Sequence, residues 1–298
     1  MRLVALALAV ALTACTRTSP PPQAEARYMI GQPYEMGGIW SYPREDFSLS
    51  ETGLAVVLPD AQPGRRTANG EIFDPAQLMG AHRTLQLPAI LTVRNLETGR
   101  EIRLRVNDRG PSQPGRILGL SRRAAELLGV PSGGIAQVRI TVDAEASRAL
   151  ARTLPGTENA TLPIATAPSG AVEIESLALP PGARSAERVR QAVARPRVLA
   201  AAASEPPAPP ERLPEEFVQH AAMPGRLVVE AGTFFRRDLA QRQAARLAGL
   251  GARVEPFGSG RQQQFRVRLG RYASPAEADR AVSGVLAAGL PEVRIIVE

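Results

Sequence analysis

The chain has 298 residues, length enough for two domains, and a formal charge of +7 carried by arginine alone, since lysine is absent. One cysteine and two histidines exclude a disulfide framework within the chain and leave no credible metal site or cofactor-ligating cluster. The positive balance suits an anionic polymer such as a cell-wall glycan, or a lipid headgroup layer.

Residues 1–14 read as a secretion signal. Met1-Arg2 precedes an apolar run from Leu3 to Leu12 that is too short to span a bilayer. Leu12-Thr13-Ala14-Cys15 has the pattern of a bacterial lipobox, which predicts lipidation of Cys15; plain cleavage near Ala14 with an idle thiol is the alternative. Thr16 stands where, in similar lipoproteins, an Asp would favour retention in the inner membrane. The expectation is therefore a periplasm-facing, outer-membrane-anchored protein with no nucleic-acid partner. Residues 15–45 then form a tether and lead-in.

From 46 to 143 short alternating segments are separated by turn signals, including Leu91–Leu96, Glu101–Val106 and Gln137–Val142, and predict a small β-rich domain. Leu120–Gly129 breaks the pattern with a Ser N-cap, helical spacing and a Gly stop, so a short helix is expected there. Residues 144–224 are rich in Ala, Pro, Thr, Ser and Glu and read as a disordered linker, with at most a transient helix around Ser185–Ala194. A flexible link of about 80 residues has a typical end separation of roughly 50 Å.

Residues 225–298 return to strong periodicity. Leu227–Gly232, Ala252–Phe257, Phe265–Gly270 and Val293–Val297 read as strands. Asp238–Leu250 and a segment capped by Ser274, with Glu277 three residues on, read as helices. The order predicts a small βαββαβ sheet domain. Alternation puts Val229, Ala231, Phe265, Val267 and Leu269 toward the helices, and Val228, Glu230, Gln264, Arg266 and Arg268 on the open face. This segment carries twelve arginines against seven acids, which favours retention on an acidic surface.

One stretch carries the most chemistry. Arg103-Leu104-Arg105-Val106-Asn107-Asp108-Arg109-Gly110-Pro111 runs from an apolar/charged alternation into a tight turn, placing a carboxylate at a strand end. It has company: Thr67–Asp74 (Thr-Ala-Asn-Gly-Glu-Ile-Phe-Asp), Ala81–Leu85 (Ala-His-Arg-Thr-Leu), Val93–Arg100, Glu51–Ala55 and the lead-in Tyr28–Pro43. With these ordered blocks the segment from 28 to 143 resembles the rare lipoprotein A family of septal-ring lytic transglycosylases. The C-terminal segment is similar to the sporulation-related repeat domain.

That resemblance implies a double-psi β-barrel followed by a domain that binds glycan strands stripped of their stem peptides. It also implies an endolytic peptidoglycan lytic transglycosylase acting near the division septum, with septal division proteins as partners. In such a reaction one acid protonates the glycosidic oxygen while the muramic 6-hydroxyl closes a 1,6-anhydro ring, so one carboxyl serves as acid and then base. The resemblance assigns Asp108 as that acid, Glu71 as a second carboxylate and His82 as an orienting group; Asn107 and Arg109 beside Asp108 are expected to touch glycan, as are Glu230, Gln264, Arg266 and Arg268.

Two departures stand out. Ala55-Val56-Val57-Leu58-Pro59 replaces the family's Ala-Ser-Trp-Tyr-Gly, and Gly119 replaces an Asp ahead of the helix-starting Ser121. They motivate the alternative of a non-catalytic peptidoglycan-binding lipoprotein.

Overall fold

The computed structural model describes residues 23–59, 64–156, 212–260, 263–291 and 293–298. Cys15 and the helix expected around 185–194 lie outside the described residues.

A lead-in hairpin, β1 (Tyr34–Met36) and β2 (Ile39–Ser41), precedes six strands: β3 (Ser50–Val57), β4 (Met79–Ala81), β5 (Ala89–Asn95), β6 (Arg100–Asp108), β7 (Arg116–Leu120) and β8 (Ile135–Val142). Their pairings close a ring. β3 pairs with β7 in parallel and β8 antiparallel; β7 pairs with β4, and β4 runs parallel to β6; β6 and β5 pair antiparallel, and β5 returns to β8. This is a mixed six-stranded β-barrel: the alternating segments predict its strands, the resemblance implies the barrel, and closure removes exposed sheet edges.

The alternation explains the inside. Leu91 and Val93 of β5, Ile102, Leu104 and Val106 of β6, Leu118 of β7, and Val138 and Ile140 of β8 form one buried cluster. Each such side chain contributes about 1.5–3 kcal/mol by leaving water. Helix α1 (Arg122–Leu128) sits where expected: Ser121 accepts the N–H of Ala124, Gly129 ends the helix in the left-handed region, and Leu128 joins the core.

Two ordered pieces lie where the composition reads as linker. Helix α2 (Ala144–Thr153) is capped by Asp143 and packs on β5, where the Ser147 hydroxyl accepts the N–H of Ile90 at 2.9 Å and faces its carbonyl at 3.3 Å. Its alanines let it lie close to the barrel, so low bulk here reflects tight packing rather than disorder. Residues 212–224 form a strap: Leu213 is buried in the barrel core, and β9 (Val218–Gln219) pairs with the start of β6. The packing on the barrel therefore runs past residue 143 through α2 and takes in residues 212–224, both of which the composition assigns to the linker.

The C-terminal module has β10 (Leu227–Phe234), α3 (Arg237–Arg246) with a 3-10 turn at Ala248–Leu250, β11 (Arg253–Phe257), β12 (Gln264–Tyr272), α4 (Pro275–Ala287) and β13 (Arg294–Val297). The sheet order is β11-β12-β10-β13, antiparallel throughout. Val229, Ala231, Val267 and Leu269 pack with Ala240, Ala278, Val282 and Val285 of the helices, the face alternation assigns them to. Ser274 caps α4 by accepting the N–H of Glu277. The edge strand β13 is met by barrel side chains: the Thr52 hydroxyl donates to the Val297 carbonyl at 2.8 Å and accepts its N–H at 3.2 Å, while Arg116 forks onto Asp279 at 2.8 Å twice.

The strap rests on a glycine. Gly99 has φ +77°, its carbonyl accepts the N–H of His220 at 2.9 Å, and a Cβ there would stand 2.1 Å from the His220 carbonyl oxygen. Gly99→Ala is expected to cost about 1 kcal/mol or more of unfolding free energy. It should also raise amide hydrogen exchange at Val218–His220, which mass spectrometry will resolve from the unchanged barrel strands.

Candidate active site

The end of β6 is where the barrel interior opens. Arg105 and Asn107 project to one side of the strand and Leu104 and Val106 to the other, and the β4–β6 register slips by one residue so that Ala81 faces Asp108. Such a bulge at a barrel rim re-aims the side chain beside it. Asp108 lines a cleft of about 490 Å³ whose walls include Met36, Leu58, Pro59, Arg65, Phe73 and Arg109. The buried carboxylate is held at both oxygens: Oδ1 accepts the N–H of Ala68 at 2.9 Å and of Arg109 at 2.8 Å, and Oδ2 pairs with the Arg65 guanidinium.

Arg65 has no counterpart among the residues expected from the sequence. It lies 43 positions from Asp108, and nothing in its Gly64-Arg65-Arg66-Thr67 setting signals the contact. The neighbour in sequence, Arg109, is turned elsewhere: its guanidinium donates to the carbonyls of Leu85 at 2.6 Å and His82 at 3.3 Å, and to that of Ile30. Although Arg109 lines the cleft, its donors are committed to backbone, which argues against the expected glycan contact.

Glu71 does not line the cleft. The residue is 9% exposed, and its carboxylate accepts Arg105 Nε at 3.1 Å to each oxygen, Arg105 Nη2 at 2.6 Å, Asn107 Nδ2 at 2.9 Å and Asn69 Nδ2 at 2.7 Å. Burial pushes against ionisation, but the Arg105 and asparagine bonds outweigh it and hold the carboxyl below its ordinary value. Asn107 is fully buried in the same cluster, where its amide donates to Glu71. Neither side chain lines the cleft, and the cause is the same: β6 alternation turns 105 and 107 together onto Glu71.

His82 is likewise enclosed. Its backbone N–H donates to the Asp108 carbonyl at 3.0 Å, and its Nδ1 accepts the N–H groups of Thr84 at 3.2 Å and Leu85 at 3.1 Å. The ring proton therefore sits on Nε2, 3.4 Å from Glu51 Oε1. Burial raises the Glu51 carboxyl, but the bond from His82 outweighs it and holds the group below its ordinary value. Of the three residues the resemblance assigns to catalysis, only Asp108 opens on the cleft.

The two departures from the family pattern meet in space. Leu58 lines the cleft, its N–H donates to the Leu120 carbonyl at 2.8 Å, and a Cβ on Gly119 would lie 2.7 Å from Leu58 Cδ2. The groove wall is present but aliphatic, and Leu58 fills the space over Gly119.

In the C-terminal module Glu230 is buried in a ring of arginines. Arg294 donates to it through Nε at 3.0 Å and through Nη2, and Arg268 and Arg266 approach at 3.7 and 3.8 Å. Arg266 stacks on Phe257, 3.2 Å from the ring centroid, and Arg268 also reaches Glu255 at 3.0 Å. Gln264 pairs with Phe257 at the start of β12 and is half-buried. These four residues share the sheet face away from the helices, as alternation predicts, but the Glu230 carboxylate is turned to arginines. Among the described residues no group of three His, Cys, Asp or Glu side chains converges as metal ligands would.

Because Glu71 loses stability-bearing charge when protonated, its folded value being depressed, its contribution is complete above the ordinary value of 4.5 and fades as pH falls through the folded value. Glu71→Gln sets an amide N–H against the Arg105 donors and is expected to cost about 3 kcal/mol in urea unfolding at pH 7. The variant's stability should also fall less steeply below about pH 4.5 than that of the wild type.

Two family profiles match the chain: one described as lytic transglycolase over residues 47–140, and the SPOR domain over 224–294. The endolytic peptidoglycan transglycosylase RlpA of Yersinia pestis is 38% identical over 143 residues, 41% of this chain and 40% of that protein; that of Rickettsia bellii is 39% identical over 116 residues, 38% of this chain and 51% of that protein. The chain thus spans about half or less of these relatives. The Pseudomonas aeruginosa protein of the same name is 30% identical over 277 residues, 89% of this chain and 76% of its own length. A crystal structure of the RlpA SPOR domain from that organism matches 24% of the chain and 99% of its own, at 25% identity and a TM-score of 0.23.

Proposed function

Because the chain belongs to the RlpA family of lytic transglycosylases, and because Asp108 is the one carboxylate among the described residues lining the cleft, we propose that it cleaves peptidoglycan glycan strands with Asp108 as both acid and base. The single carboxylate carries this reading. Hydrolysis of a glycosidic bond ordinarily uses two carboxyl groups about 5–10 Å apart, one to activate water or form a covalent intermediate. Ring closure by the muramic 6-hydroxyl needs no activated water, so one carboxyl that gives a proton and takes one back is sufficient.

The surrounding residues act by positioning. Glu71 holds Asn107 and Arg105 so that β6 ends with Asp108 at the rim, and His82 fixes the Asp108 backbone while Glu51 holds its ring. The C-terminal module retains the enzyme on its polymer through the Arg266 and Arg268 face, and peptide-free glycan at the septum is the substrate in this reading. Cys15 is the site of lipidation, anchoring the chain at the periplasmic face of the outer membrane.

The aliphatic wall at Leu58 and Pro59 supports a second reading, a barrel kept as a non-catalytic wall-binding scaffold. Incubation with amidase-stripped peptidoglycan separates the two: 1,6-anhydromuramic products are expected by mass spectrometry, and Asp108→Asn is expected to reduce them by at least about a hundredfold. Absence of product from the wild type across about pH 5–8 would select the scaffold, and equal product from Asp108→Asn would remove only that residue's role.

A further inference from the structure

We propose that Arg65 determines substrate specificity in the cleft: its guanidinium reads the free lactyl carboxylate that a muramic acid residue bears once its stem peptide is gone, and in turning to it releases Asp108. The inference rests on Asp108 being the acid of a lytic transglycosylase.

Among the described residues the cleft has two guanidinium groups, and only one is available. Arg109 is committed to three backbone carbonyls, whereas Arg65, its side chain 38% exposed, has Asp108 as its main partner and one long bond to the Arg66 carbonyl at 3.5 Å. Phe73 supports it, the guanidinium lying 5.3 Å from the ring centroid. That leaves a planar donor fork, already bound to a carboxylate, at the mouth of a cleft walled by Met36, Leu58 and Pro59.

The exchange is chemically matched. A muramic residue that still carries its peptide presents a neutral amide at the lactyl carbonyl; after amidase cleavage it presents a carboxylate, the group a guanidinium fork binds best. When Arg65 moves from one carboxylate to the other, Asp108 keeps both backbone N–H bonds at Oδ1 and so stays aimed, while Oδ2 is freed. Oδ2 takes a proton from solvent and passes it to the glycosidic oxygen. The bond from the muramic anomeric carbon to that oxygen breaks with its electron pair going to the oxygen. The muramic O6 bonds to the anomeric carbon and its proton goes to Asp108, which returns that proton to solvent when product leaves and Arg65 comes back to Oδ2.

The test compares amidase-stripped glycan strands with the same strands after conversion of their lactyl carboxylates to methylamides, using the full chain and counting anhydromuramic ends by mass spectrometry. The wild type is expected to cut the methylamide strands at least about tenfold more slowly. Arg65→Ala and Arg65→Gln, the latter keeping a stem over Phe73, should both bring that ratio to within about twofold of one, and Arg65→Lys should retain part of it. A wild type that cuts both substrates alike, or variants of unchanged melting temperature that keep the wild-type ratio, would overturn the assignment while leaving the transglycosylase reading intact. No anhydro ends from either substrate with the wild type would overturn that reading, and this inference with it.

Discussion

Inside the barrel wall Glu71 and Arg105 face each other, and the placement of Asp108 depends on that pair. A buried ion pair gains little from Coulomb attraction alone, because each charge has given up its water. Here the deficit is met by hydrogen bonds from Asn69 and Asn107 to the same carboxylate. The consequence is geometric. The pair ties the Thr67–Glu71 turn to β6, so the Ala68 N–H arrives at Asp108 Oδ1 from one side while the Arg109 N–H arrives from the other. A carboxylate fixed by two backbone donors cannot rotate away, whatever happens at its second oxygen.

Much of this was legible in the chain and the rest was not, for physical reasons. Alternation announces β5, β6 and β8, because each strand has one face in the barrel core; the Ser and Gly signals at 121 and 129 announce α1. Helix α2 and the 212–224 strap were hidden by composition, since alanines that allow close packing resemble alanines that pack nothing. In the site, Asp108 at its strand end was visible. The roles of Glu71 and Asn107 were not, because their meeting depends on which face of β6 looks outward at the rim. Arg65 reaches Asp108 only through the barrel's closure, a contact no local pattern encodes.

Leu58 and Gly119 show how departures that look independent along the chain form one packing event. With no side chain at 119, the space over β7 is taken by Leu58, and the wall is restored in aliphatic form. Such a wall offers dispersion to a sugar ring but no hydrogen bonds. It also lowers the local dielectric, so a charge pair at its edge is less screened than on an open surface. Polar recognition in this cleft must therefore fall to few groups, and the exposed one among its cations is Arg65.

The C-terminal module poses the same problem on a flat surface. Glu230 accepts Arg294 at Oε1, while Arg266 and Arg268 stand 3.8 and 3.7 Å from Oε2, so that buried carboxylate gathers guanidinium groups around it. Arg266, laid on Phe257, presents a cation with an aromatic backing, the arrangement Arg65 has over Phe73 in the barrel. A glycan strand stripped of its peptides carries a carboxylate on every muramic residue, whereas an intact strand carries amides there. On the proposed function both modules would then select the same polymer by the same anion, the sheet by retaining it and the cleft by admitting it to Asp108.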